Sequence, residues 1–213
     1  MKKILYINGN PQKETASYSR RAGIYYQEQL IKDNSDIQID EVNVYEDNIQ
    51  LIDEDVLNAW QELGSGTIFS DLTESQQEKI SNMNNVLNQF KEADEYVLVT
   101  PLWNFSIPPM LKAYLDNISI AGETFKYTES GPVGLLGDKK VTIIQASGSI
   151  YTSGPAMAMD FGAKYLEVLF GFLGVKDIKK VYIEGIAIPN KTDGEKLEEA
   201  YRKIDELFVF DKV

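Results

Sequence analysis

Three short segments hold most of the flat and hydrogen-bonding side chains that could do chemistry in this chain. The first is Pro101-Leu102-Trp103-Asn104-Phe105-Ser106-Ile107. A proline ends an apolar run, and an indole, a carboxamide and a phenyl ring follow in succession. Such groups pack on the faces of a planar heteroaromatic ring and hydrogen-bond its polar edge. The second is the turn Asn8-Gly9-Asn10-Pro11, followed by Thr15, Ser17 and Ser19 at the mouth of a helical pattern. The N–H groups and partial positive charge of a helix N-terminus favour an anion, and the hydroxyls add donors without charge, so a monoester phosphate would fit. Taken alone, Ser17 reads first as a helix N-cap. The third is Ala146-Ser147-Gly148-Ser149-Ile150-Tyr151, where a glycine permits close backbone approach to a ligand edge.

The elements that must position these segments are legible from periodicity. Apolar, β-rich runs recur at Lys3 to Asn8, Ile37 to Val44, Tyr96 to Thr100, Lys140 to Ala146 and Lys180 to Glu184. Helical patterns fall between them at Ser17 to Lys32, Glu74 to Glu92, Pro108 to Ile120, Gly154 to Leu173 and Asp193 to Leu207. Central runs that are apolar throughout belong to strands covered on both faces, and the alternation predicts an α/β doubly wound, five-stranded parallel sheet with helices on both faces. With strand order 2-1-3-4-5, a ligand lies outside the carboxyl ends of strands one and three, with the loop of strand four beside it. Those are the three segments above. Two long connections stand out: the acidic stretch from Tyr45 to Thr73, with a short helix over Asp53 to Trp60, and an extended excursion or hairpin from Gly122 to Asp138. No linker or repeat divides residues 1–213, which read as one domain.

Several function classes are disfavoured. The net charge of −12 argues against nucleic acid and anionic membranes, which need a basic face. With no cysteine and no histidine, thiol catalysis, thiolate metal sites and the commonest general base are excluded. The first loop is neither a Gly-x-Gly-x-x-Gly fingerprint nor a P-loop, and no nucleophile elbow is present. The acidic residues Glu41, Asp53, Glu54 and Asp55 read as a solvated face. Met1-Lys-Lys-Ile-Leu leads straight into a strand with no signal peptide or membrane span, which points to the cytoplasm.

Read jointly, the loops describe a site for flavin mononucleotide (FMN), with phosphate at one end and the isoalloxazine at the other. The chain resembles the FMN-dependent NADH-azoreductases among the flavodoxin-like NAD(P)H:quinone oxidoreductases. The resemblance is carried by Pro101-Leu-Trp-Asn-Phe-Ser-Ile-Pro, Thr124-Phe-Lys-Tyr-Thr-Glu-Ser-Gly-Pro, Phe170-Gly-Phe-Leu-Gly174 and Glu184-Gly-Ile-Ala187. It implies a flavodoxin-like fold and a homodimer with FMN at the interface. It also implies two-electron, ping-pong hydride transfer from NADH to quinones and azo compounds. Asn10, Ser17 and Ser19 would hold the phosphate. Pro101, Leu102, Trp103, Asn104 and Phe105 would line the ring and ribityl chain, and Ser147, Gly148, Ser149 and Tyr151 the pyrimidine edge. Tyr127 and Phe172 match aromatics that cover the flavin in relatives, with help from the partner subunit. Phe105, Tyr127, Phe172 and Tyr151 are thus the candidate catalytic groups. In some relatives the strand-four loop carries an arginine and a histidine; here Ala146-Ser-Gly-Ser-Ile-Tyr151 has neither. From the residues alone, Trp103, Phe105, Tyr127 and Phe172 also read as core or edge-strand aromatics, and a flavodoxin-like FMN electron carrier without its own turnover is the competing function.

Overall fold

The computed structural model describes residues 1–189 and 192–210. The chain opens with β1 (Lys2–Asn8), α1 (Tyr18–Asp33) and β2 (Ile37–Asn43). It continues through α2 (Glu54–Gly64), α3 (Glu74–Glu92), β3 (Glu95–Pro101) and α4 (Pro109–Ile118). A hairpin, β4 (Phe125–Thr128) and β5 (Gly131–Gly134), leads to β6 (Lys140–Ala146), α5 (Ala163–Phe172), β7 (Asp177–Ile183) and α6 (Asp193–Phe210). The main sheet is parallel throughout in the order β2-β1-β3-β6-β7, which is 2-1-3-4-5 when its own strands are counted.

Strand periodicity sorts the core into two layers. β1 sends Ile4 and Tyr6 to one face and Leu5 and Ile7 to the other, and β3 does the same with Val97 and Val99 against Tyr96 and Leu98. The first face is covered by Ala22, Tyr26 and Leu30 of α1 and Leu197, Ala200 and Ile204 of α6. The second meets Leu87 and Phe90 of α3, Leu111 and Tyr114 of α4, and Leu166 and Phe170 of α5. Phe90 and Tyr96 stack face to face, with centroids 4.1 Å apart, which anchors α3 on the sheet centre. Register then brings the strand ends together. Asn8 pairs with Val99 and Pro101 with Ala146, so the loops after β1, β3 and β6 leave from one edge.

The structure differs from the sequence expectations in places. The helix expected from Gly154 to Leu173 exists only from Ala163. Gly154 adopts a left-handed φ of 74°, a short 3₁₀ turn spans Pro155–Met159, and the Asp160 carboxylate accepts the N–H groups of Gly162 (3.0 Å) and Ala163 (3.2 Å), starting the helix there. β7 begins at Asp177 instead of Lys180, because the lysines of an edge strand hide it from a search for apolar runs. Glu41, Asp53 and Glu54 are exposed, as expected of a solvated face, and two of the acidic residues also have structural roles there. Asp53 caps α2 by accepting from the Val56 N–H at 3.1 Å, and Lys79 bridges Asp53 and Asp55 at 2.6 Å each. The Gly122–Asp138 excursion is the β4–β5 hairpin, with Tyr127 opposite Pro132.

Candidate functional site

At the carboxyl edge of β1, β3 and β6 lies a cleft of about 260 Å³, lined among others by Asn10, Ser17, Ser19, Pro101, Leu102, Trp103, Ser147 and Gly148. One wall is a closed circuit of uncharged donors. The Asn10 side-chain N–H₂ donates to the Ser17 hydroxyl at 2.8 Å and to the Ser19 hydroxyl at 3.4 Å. Ser17 also accepts the Arg20 N–H at 3.2 Å, so it is the N-cap of α1 and a wall of the cleft at once. With both lone pairs of Ser17 engaged, its O–H hydrogen is left to donate, to Ser19 at 3.1 Å or into the cleft. Tyr18 and Ser19 open the helix, where backbone N–H groups have no intrahelical acceptor. Asn10 is held in turn by its N–H to the Asn8 side-chain oxygen at 3.0 Å, and its own oxygen accepts the Gln12 N–H. Asn10, Ser17 and Ser19 are 3%, 2% and 0% exposed, so this polarity is buried at the cleft wall. Donors aimed at a helix N-terminus suit an anion.

The opposite wall is set by a strained turn. Trp103 and Ser106 exchange both backbone hydrogen bonds at 2.9 Å, and the residues between them, Asn104 and Phe105, have φ of 47° and 71°. Two successive left-handed residues make a primed two-residue turn, for which Asn-Gly is the preferred sequence. A phenylalanine in glycine's place costs energy and holds its ring outward. The Phe105 carbonyl accepts the Phe161 N–H at 2.8 Å, tying the turn to the segment that precedes α5. Trp103 leans on Tyr45, centroids 6.4 Å apart, and divides the cleft from a second depression of about 520 Å³ that holds Asn104, Lys112 and Tyr165.

The floor comes from the loop after β6. The Ser147 hydroxyl donates to the Ser149 carbonyl at 2.8 Å, so it presents acceptor capacity to the cleft, opposite in sense to Ser17. Phe105 and Tyr151 meet edge to face at the rim, centroids 6.4 Å apart and planes at 71°.

Not all expected residues converge. Asn104, Phe105, Ser149 and Tyr151 adjoin the cleft without lining it, and Thr15 lines a separate hollow with Glu14, Ile24 and Tyr25. Tyr127 and Phe172 form their own group around Phe125, with Phe125–Tyr127 centroids 5.5 Å apart and Phe125–Phe172 4.8 Å apart. Phe170, beside them in sequence, is a core residue. Sequence reasoning missed Gln12, Tyr18 and Ile186, which also line the cleft. Tyr18 donates its hydroxyl to Asp193, and this bond raises the tyrosine pKa and lowers that of the aspartate, while Arg21 lies 4.5 Å over the Tyr18 ring. Ile186 follows an edge strand and carries no polar group, so only its place in the Glu184-Gly-Ile-Ala187 motif marks it.

Residues 2–208 match the family described as Flavodoxin-like fold, Flavodoxin_2. The chain is 45% identical over 185 residues to FMN-dependent NADH:quinone oxidoreductase 2 of Bacillus subtilis, covering 87% of this chain and 88% of that one. It is 42% identical over 208 residues to FMN-dependent NADH:quinone oxidoreductase 3 of Halalkalibacterium halodurans, covering 97% and 98%. The crystal structure of an FMN-dependent NADH-azoreductase from Bacillus anthracis in complex with FMN superposes with a TM-score of 0.91 at 40% identity, covering 98% of each chain.

Proposed function

Belonging as it does to the flavodoxin-like family of FMN-dependent NADH:quinone oxidoreductases, this chain is an oxidoreductase, and we propose that it holds FMN in the cleft at the carboxyl edge of its sheet. The observation that carries this reading is the buried Asn10–Ser17–Ser19 donor circuit, facing the same space as the apolar Pro101–Trp103 wall. The donor set fits a phosphate at one end, and the wall fits a planar ring at the other. FMN, when bound, supplies two-electron hydride relay from NADH to a quinone or azo acceptor.

The chain's own residues bind, orient and stack. Asn10, Ser17 and Ser19 hold the phosphate. Pro101, Leu102, Trp103, Asn104 and Phe105 line the ring side, and Ser147, Gly148, Ser149 and Tyr151 serve the polar edge. Phe105, Tyr127, Phe172 and Tyr151 provide flat surfaces for planar substrates. Tyr127 is 74% exposed and Phe172 40%, and neither lines the cleft of its own chain. Exposed aromatics of that size suit a homodimer in which they cover the FMN of the neighbouring copy, at the interface. Among the described residues no helix is long and apolar enough to cross a membrane. The net charge of −12 suits a one-domain protein that acts on small molecules, not on nucleic acid or anionic membranes.

Relatives named as oxidoreductases favour an enzyme over a passive carrier. Steady-state oxidation of NADH by the purified, FMN-loaded protein with menadione or methyl red as acceptor tests this. Multiple turnovers without a partner protein are expected. Reduction of the bound flavin with no turnover would mark a carrier instead.

A further inference from the structure

Glu184 has no place in the cleft, yet its carboxylate gathers three donors from one distant loop. It accepts the backbone N–H of Tyr151 at 2.5 Å and of Thr152 at 2.9 Å, and the Thr152 hydroxyl. It stands directly after β7, whose last residue, Ile183, accepts the Ser147 N–H at 2.9 Å. Beyond it the backbone keeps the same partner. Gly185 donates to the Ser149 carbonyl (3.2 Å), Ile186 to that of Ser147 (3.1 Å) and Ala187 to that of Gly148 (2.9 Å). Gly185 takes a left-handed φ of 70°, and the Lys196 ammonium donates to the Ile186 carbonyl at 2.7 Å. The loop after β6 is therefore laced to the turn after β7 along its length. Its near half, Ser147 to Ser149, is held by backbone bonds. At its far half, Tyr151 and Thr152, the Glu184 carboxylate holds both N–H groups.

The near half carries the cleft-lining Ser147 and Gly148, and the far half carries the ring that meets Phe105 at the rim. The two halves are thus anchored by different means. We infer that Glu184 is a positioning residue that sets the Tyr151 ring against Phe105, and so shapes the seat of the planar acceptor without holding FMN. This rests on the functional reading above. A carboxylate accepting three hydrogen bonds, two of them from backbone N–H groups, is a strong local tether because charge-assisted bonds exceed neutral ones. Glutamine keeps an acceptor oxygen for the two amides, which share one carboxylate oxygen; alanine keeps none.

The test compares the FMN-loaded wild type with Glu184→Ala, Glu184→Gln and Thr152→Val. Hydrogen exchange read on a peptide covering Tyr151 and Thr152 should accelerate at least about tenfold in Glu184→Ala and return close to wild type in Glu184→Gln. The acceptor KM should rise about fivefold or more in Glu184→Ala, by a clearly larger factor than the FMN dissociation constant, because Ser147 to Ser149 keep their own backbone bonds, with kcat less affected, and Glu184→Gln should restore most of the KM. Thr152→Val keeps both amide bonds and should resemble wild type. Unchanged exchange in Glu184→Ala would overturn the tether. Accelerated exchange with an unchanged KM, or a loss of FMN affinity matching the KM effect, would overturn the positioning role. A wild type that binds FMN but turns over no quinone would instead sink the functional reading, while the exchange data would still report on the tether.

Discussion

Phe105 occupies a backbone conformation that glycine would adopt more easily, and the residue is 42% exposed. Strain at such a position costs on the order of 1–3 kcal/mol. Glycine would relieve it, lose about 0.4–1 kcal/mol through the more flexible unfolded chain, and forfeit an edge-to-face contact worth about 0.5–1.5 kcal/mol at most. Phe105→Gly is therefore expected to leave stability no more than about 1.5 kcal/mol below wild type, or above it, while raising the acceptor KM. Chemical denaturation and steady-state kinetics on one preparation would check both; a loss of more than about 2 kcal/mol would show that the ring is a packing residue after all. The residue types of this segment were readable in the sequence, since an indole, an amide and a phenyl ring in succession suit a planar ligand. The turn that displays them was not, because its preferred signal is Asn-Gly and the chain carries Asn-Phe. Likewise the sequence allows Ser17 to be either a cap or an anion ligand. Its geometry serves both, since engaging its lone pairs as a cap is what leaves its hydrogen to give.

At the scale of elements, the sheet and its helices follow from binary pattern, because central strands buried on both faces are apolar without interruption. Boundaries failed where polar chemistry governs them: the Asp160 carboxylate starts α5, and lysines mask the first half of β7. The β4–β5 hairpin was visible as turn formers, but its docking was not. A Cβ on Gly134 would lie 2.2 Å from the Gly174 nitrogen and the Leu173 carbonyl carbon, so the hairpin packs backbone against backbone on the end of α5. That contact holds Phe125 and Tyr127 beside Phe172. Gly134→Ala must lift the hairpin, since no flexible side chain can yield, and a cost of about 1–3 kcal/mol is expected. The acceptor KM should rise with FMN affinity retained. Thermal denaturation, kinetics and flavin titration would check this, and a variant as stable as wild type would contradict the packing.

For the whole molecule, the absence of histidine and cysteine leaves no side chain with an ordinary pKa near neutrality, so stability should be nearly flat between about pH 6 and 8. The alkaline limb is set by tyrosine. Burial raises the pKa of Tyr6, Tyr96 and Tyr114 and pushes Tyr182 up to about 12. A folded pKa above the unfolded value of about 10 favours the fold fully below that pH, and the contribution is lost as the unfolded chain ionises first. Ultraviolet titration should show a fraction of the 12 tyrosines ionising only with cooperative unfolding above about pH 10; smooth titration of all of them in an intact fold would contradict this burial. What sequence could not reveal at this scale is how the aromatic groups divide between two clusters. Phe105–Tyr151 and Phe125–Tyr127–Phe172 are adjacent in motif logic but form separate clusters in one chain. Titrating apoprotein with FMN while following flavin fluorescence should give saturable binding of one equivalent per chain, weakened at least about tenfold in Asn10→Leu, which removes the donor to Ser17 and Ser19. Binding that is absent in the wild type, or equally tight in Asn10→Leu, would contradict an FMN site in the cleft.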